Sequence, residues 1–156
     1  MTTDTITKDS VITIDYGKSL EVMIAAGKYD WVNPNITPKN FPITATGIVQ
    51  FEPKIFHFDR HISSEDAVEA IKADDRGNPW EPAKIEHLLA YGATYPEDQR
   101  QYPIVGLGSV AEVGGRRFVP YLSRRGTGRG LDLDWWDDGW RGNCRFLAVR
   151  KLSSAA

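Results

Sequence analysis

CRFLAVRK, residues 144–151, is the most strand-like stretch of the chain. Alternation sends Phe146 and Ala148 to one face and Leu147 and Val149 to the other. Both faces are apolar at the centre, which places this strand inside a sheet rather than at its edge. Upstream, PIVGLGSVAEV, a Gly-Gly pair and RRFVPYLSRR read as a hairpin turned at Gly114 and Gly115. The β-rich part therefore covers about residues 103–151.

The first two-thirds read differently. Val11 to Tyr16 can form a short strand. Ser19 caps a helix running to about Ala26, with Leu20, Met23 and Ile24 on one face and Gly27 as a left-handed stop. Pro34, Pro38 and Pro42 block regular structure in the next segment, which Trp31, Ile36, Phe41 and Ile43 pin to the core. Residues 47–59 read as a strand in which Val49, Phe51 and Ile55 share one parity and Phe56 and Phe58 the other. That exchange predicts a bulge or break near Pro53. Ser63 or Ser64 opens a second helix with Ala67, Val68 and Ile71 buried, ending before Gly77. Pro82 sits at the first position of a third, in which Ile85, Leu88 and Leu89 recur up to Gly92. A short turn at 97–101 follows. Helices first and strands last predict an α+β fold: one domain over residues 10–152, short helices on a C-terminal antiparallel sheet, and a polar tail at 1–9.

Composition narrows the function classes. At 156 residues, with 41% hydrophobic and 26% charged side chains, the chain suits one globular domain and not a disordered one. Cys144 is the sole cysteine, so no internal disulfide forms. The start, MTTDTITKDS, lacks the basic and apolar regions of a signal peptide, and no apolar run matches a membrane span. The expectation is a cytoplasmic protein without membrane contact. Net charge is -2, but residues 100–156 hold ten Lys or Arg against five Asp or Glu, and nine of the ten are arginine. Arginine supplies a planar, bidentate fork that also stacks on aromatic rings. An anionic partner on that face is one reading; packing against the acidic remainder is the other.

LDLDWWDDGW, residues 131–140, gathers three of the five tryptophans and four aspartates. Asp132 and Asp134 share a strand face, and Asp137 and Asp138 fall in a turn before Gly139. Four oxygen donors so close could hold calcium or magnesium. An EF-hand is excluded, because Trp136 occupies the third position counted from Asp134. The competing reading is a solvated strand face followed by an Asp-Gly turn. Trp135, Trp136 and Trp140 either roof the core or form a platform for a sugar, a base or a protein. Arg124, Arg125 and Arg129 surround GTGRG, which is not a phosphate loop because Leu131 follows its last glycine. His57, His61 and His87 show no metal spacing and read as structural. Cys144, which opens an apolar strand, reads as a buried small residue although Arg145 adjoins it.

EPAKIEHLLAYG, YPIVGLGSV, VPYL and the ending WDDGWRGNCRFLAVRK together resemble a family of small bacterial proteins to which no activity is attached. A more distant likeness is to the C-type-lectin-like fold, carried by the helix at 80–89 after a proline-containing lead and by the ending CRFLAVR. That resemblance implies a binding module whose long loops carry the ligand. The lectins' paired cysteines and their Glu-Pro-Asn and Trp-Asn-Asp calcium motifs are not reproduced, and Trp136-Asp137-Asp138 echoes only the second.

Three functions follow as expectations. The first is a non-enzymatic module for a protein, sugar or polyanionic ligand, in which Arg124, Arg125, Arg129 and Arg141 attract and Trp135, Trp136 and Trp140 stack. The second is a hydrolase using a divalent ion on Asp132, Asp134, Asp137 and Asp138. The third is a protein that binds nucleic acid or another polyanion.

Overall fold

Two separate apolar layers, one on each side of a single sheet, organise the molecule. The computed structural model describes residues 10–152; the tail expected at 1–9 lies outside them. The described residues form β1 (Ile12–Asp15), α1 (Leu20–Gly27), β2 (Trp31–Val32), β3 (Ile48–Phe56), α2 (Ser64–Ala73), β4 (Glu81–Pro82) and α3 (Ile85–Thr94). A 3-10 turn (Asp98–Arg100) leads to β5 (Ile104–Val105), β6 (Ala111–Val113), β7 (Arg116–Arg125), β8 (Gly128–Trp135), a second 3-10 turn (Trp136–Asp138) and β9 (Arg145–Lys151). The fold is α+β. The sheet runs β1-β3-β9-β5-β7-β8-β2, with β4 beside β9 and β6 beside β7.

Strand β9 lies inside this sheet, as its pattern requires. Antiparallel β3 fills one of its edges; parallel β5 and antiparallel β4 share the other. Its residues 146–149 are all 2% exposed or less. Ile55, Leu147 and Val149 join Leu122 and Leu131 on the first face, under α1 and α3. Phe56, Phe146 and Ala148 join Val119 on the second, under Ala67 and Ile71 of α2, Trp80 and Trp140. Each such side chain contributes roughly 1.5–3 kcal/mol on leaving water, so the two layers supply much of the driving force.

Double coverage corrects the break expected in β3. The strand pairs with β9 without interruption from Phe51↔Lys151 to Phe56↔Phe146. Its parities do not exchange roles; Ile55 and Phe56 are both buried, in different layers. Pro53 is tolerated because Gln50 C=O faces β9, accepting from Leu152 N–H, so Pro53, three residues on, faces the opposite edge. There β1 has already ended, its last pair being Ile12↔Phe51.

Other boundaries shift for local reasons. Ser19 and Ser63 cap α1 and α2 as expected, accepting from Val22 N–H and Asp66 N–H. The left-handed stop after α1 falls on Lys28 (φ 53°), not on Gly27. Gly27 remains helical, and its missing side chain makes room for Tyr29: a Cβ there would lie 2.3 Å from the ring. Pro82 does not open α3; it pairs with Ala148 in β4, and Lys84 is the N-cap. The sheet is also not purely antiparallel, since β2 runs parallel to β8 and β5 to β9. Nor is it confined to residues 103–151, because β1 and β3 form one wing.

Candidate functional site

The β7–β8 hairpin turns at Gly126 and Thr127, pairing Arg125 with Gly128. That register sets Tyr121 opposite Asp132 and Val119 opposite Asp134, on the second face. Leu131 and Leu133 face the other layer. The alternating aspartates have a structural task. Beyond β2, the outer edge of β8 presents the N–H groups of Leu133 and Trp135. Asp132 Oδ1 accepts the first at 2.7 Å, and Asp134 Oδ1 accepts the second at 2.7 Å. Each carboxylate thus blunts an edge donor that could otherwise pair with another chain.

The four aspartates do not converge. Asp132 also accepts from Asn33 Nδ2 at 3.0 Å and lies 3.4 Å from Arg125. Asp137 pairs with Arg117, and Asp138 stands apart at the rim of a cavity. No three His, Cys, Asp or Glu side chains among the described residues are arranged to hold an ion.

The tryptophans separate in the same way. Trp140 is 3% exposed, a core residue rather than a platform. Its Nε1–H donates to Ser64 Oγ at 2.9 Å, and Ser64 Oγ–H donates to Trp136 C=O at 2.7 Å. Trp136 is half-buried and donates through Nε1–H to Glu65 Oε2 at 2.7 Å. That bond holds the Glu65 carboxyl below its ordinary pKa. These two rings fasten segment 136–141 to the first turn of α2. Trp135 is the exposed one, at 37%, with the Arg116 guanidinium 4.0 Å above its ring.

Arg129 is likewise not a contact residue. It is 5% exposed, and its guanidinium donates to Gly27 C=O (2.5 Å), Gly92 C=O (2.8 Å) and Gln99 Oε1 (3.0 Å). It also covers the Tyr29 ring at 4.8 Å. It therefore closes the end of α1 and ties both first-face helices to the hairpin. Arg125 is engaged too, stacked 3.9 Å over Trp31.

Arg124 and Arg141 remain. Both are exposed, and neither side chain has a hydrogen bond or ion pair among the described residues. They border two cavities. One, of about 490 Å³, is lined by His61, Tyr121, Asp134, Asp138, Trp140 and Arg141. The other, of about 370 Å³, is lined by Arg100, Tyr102, Ser123 and Arg124. Pro103, Tyr121 and Asn143 line both, so the two cavities adjoin at these residues as a two-part trough. Gly139 shapes one wall: its φ is +71°, and a Cβ there would meet His61 Cε1 at 2.8 Å.

The trough is charged and aromatic, and two of its groups are held protonated. Burial, with help from Asp132 and Asp134, pushes the Tyr121 phenol up to about 12. Burial also raises Cys144, against the opposing pull of Arg141 and Arg145. At neutral pH both are protonated and act as hydrogen-bonding groups. The sequence reading missed Tyr102, Tyr121, Asn143 and Arg100. Tyr121 was within reach, since a two-residue turn at Gly126 and Thr127 fixes its pairing with Asp132. The others arrive from residues 99–103 and 143 only through the tertiary fold. His57 and His87 are structural: His57 Nε2 meets Gly142 C=O at 2.8 Å, and His87 Nδ1 accepts from Lys84 N–H at 2.9 Å.

No protein-family model, curated protein or solved structure matches this chain.

Proposed function

We propose that the protein is a non-enzymatic binding module and that its ligand lies in the trough around Tyr121. The observation that carries this reading is that Arg124 and Arg141, without side-chain partners, each border one of two adjoining cavities that share Pro103, Tyr121 and Asn143. Guanidinium groups left unpaired beside aromatic walls suit an anionic group attached to a ring. Tyr121 and Pro103 offer surfaces for the ring, and Asp134 and Asp138 offer acceptors for its hydroxyls. A phosphorylated sugar or nucleoside has this chemistry. The divalent-metal hydrolase reading draws no comparable support, because Asp132 and Asp137 are already engaged by Arg125 and Arg117.

Thermal melts test the reading. A sugar phosphate and a nucleoside monophosphate, at about 100-fold over Kd, should stabilise by roughly 2.7 kcal/mol. The uncharged sugar and nucleoside should not. The pair Arg124→Ala and Arg141→Ala should remove the effect while leaving the unliganded melt within about 0.5 kcal/mol of the parent, as exposed positions do. No shift with either phosphorylated probe would defeat the proposal. Tight binding to a DNA or heparin oligomer, with a steep salt dependence, would move the assignment to a polyanion-binding protein.

A further inference from the structure

A separate cavity of about 270 Å³ opens between α1, α3 and β1, away from the trough. Most of its wall is apolar: Val22, Met23, Ala26, Leu89, Ala90 and Ala93. Its polar groups include two carboxylates, Glu86 and Asp15, and one ammonium, Lys18. Glu86 is only 5% exposed. Its Oε2 accepts from the Tyr16 hydroxyl at 3.0 Å, and it has no ion pair among the described residues. A buried carboxylate is costly unless paired, and a single phenol is a thin substitute for water. Its place in the first turn of α3 supplies some dipole stabilisation, but no counter-charge. Asp15 spends Oδ1 on Gly17 N–H at 2.9 Å. Lys18 is exposed, while Glu86 lies within. Apolar walls and a buried carboxylate that pairs with no lysine, neither Lys18 here nor Lys84 and Lys151 beside the neighbouring cavity it also borders, describe one half of a recognition pair.

We propose that this cavity binds a small organic cation, a primary or secondary ammonium carried on a short apolar chain or ring. The ammonium donates to Glu86, and the apolar body lies along Val22, Met23 and Leu89. The volume falls just under the roughly 300–1,000 Å³ usual for small-molecule pockets, so the ligand is compact. Tyr16 fixes the carboxylate; burial and Glu86 both raise its pKa, so it remains a donor throughout the neutral range. The site is independent of the trough, and neither proposal rests on the other.

The probe is n-hexylamine, cationic at pH 7, compared with 1-hexanol and hexanoate, followed by amide chemical shifts in the full chain. The amine should give saturable shifts at Val22, Met23 and Ala93, with Kd about 1 mM. Hexanol should bind roughly tenfold more weakly, and hexanoate weaker still. Glu86→Gln keeps an acceptor for Tyr16 and should bring the amine down to the hexanol level. Lys18→Ala removes the like charge and should tighten the amine. Ala93→Trp, at an exposed position on the cavity wall, should abolish its shifts, which keeps the proposal testable if Glu86→Gln fails to fold. Hexanoate binding as well as the amine, unchanged amine affinity in Glu86→Gln, amine shifts that persist in Ala93→Trp, or no saturation by about 10 mM would each overturn it.

Discussion

Removing the Arg129 side chain should damage the fold and not ligand binding. Arg129→Ala deletes the guanidinium that serves Gly27 C=O, Gly92 C=O and Gln99 Oε1 in a site only 5% exposed. Each abandoned buried acceptor costs about 1–3 kcal/mol. Relief from holding a buried cation, and entry of water, offset part of that sum. A net loss of about 4 kcal/mol is expected. For a chain of this size each kcal/mol moves the melting temperature by roughly 2–4 °C, so the variant should melt about 8–16 °C lower. Arg129→Lys should fall between, because one ammonium cannot span three acceptors on separate segments. The assay is urea and thermal unfolding followed by far-UV circular dichroism, with Arg124→Ala as the exposed control expected within about 0.5 kcal/mol. If Arg129→Ala melts within about 2 °C of the parent, the reasoning fails.

Three further outcomes follow from the same contacts. Trp140→Ala should cost about 3–5 kcal/mol, as for other buried aromatics, whereas Trp135→Ala should cost under about 1 kcal/mol; equal costs in urea melts would contradict their assigned burial. His87 is buried neutral with its pKa depressed to about 3, by burial first and then Lys84. The unfolded chain therefore binds the extra proton between pH 6.5 and 3, so stability falls as pH drops through that window, by up to about 1.4 kcal/mol per unit. His87→Asn should flatten the acid limb, and an unchanged slope would place the titrating group elsewhere. Asp132→Ala with Asp134→Ala bares two edge donors and should raise concentration-dependent association in sedimentation runs. Asp134→Asn, which keeps an acceptor for Trp135 N–H, should stay at the parent level.

Much of the architecture was legible one segment at a time, because it follows from local rules. Four consecutive apolar residues at 146–149, apolar on both faces, are enough to put β9 in the interior of a sheet. Ser19 and Ser63 announce helix starts through hydroxyls that reach only three residues on. Glycine pairs and short polar turns mark the hairpins. What the chain alone could not decide was which of several similar side chains would be buried, because burial depends on residues far away in sequence. Arg124, Arg125 and Arg129 look alike in RRGTGRG, yet only Arg129 meets the ends of α1 and α3, one of them 102 residues distant. Trp135, Trp136 and Trp140 look alike too, and α2 selects two of them through Glu65 and Ser64. The break expected at Pro53 dissolved for the same reason. A second layer of helix and loop covers a face that a lone strand would leave to water, and no local pattern reports that layer's arrival.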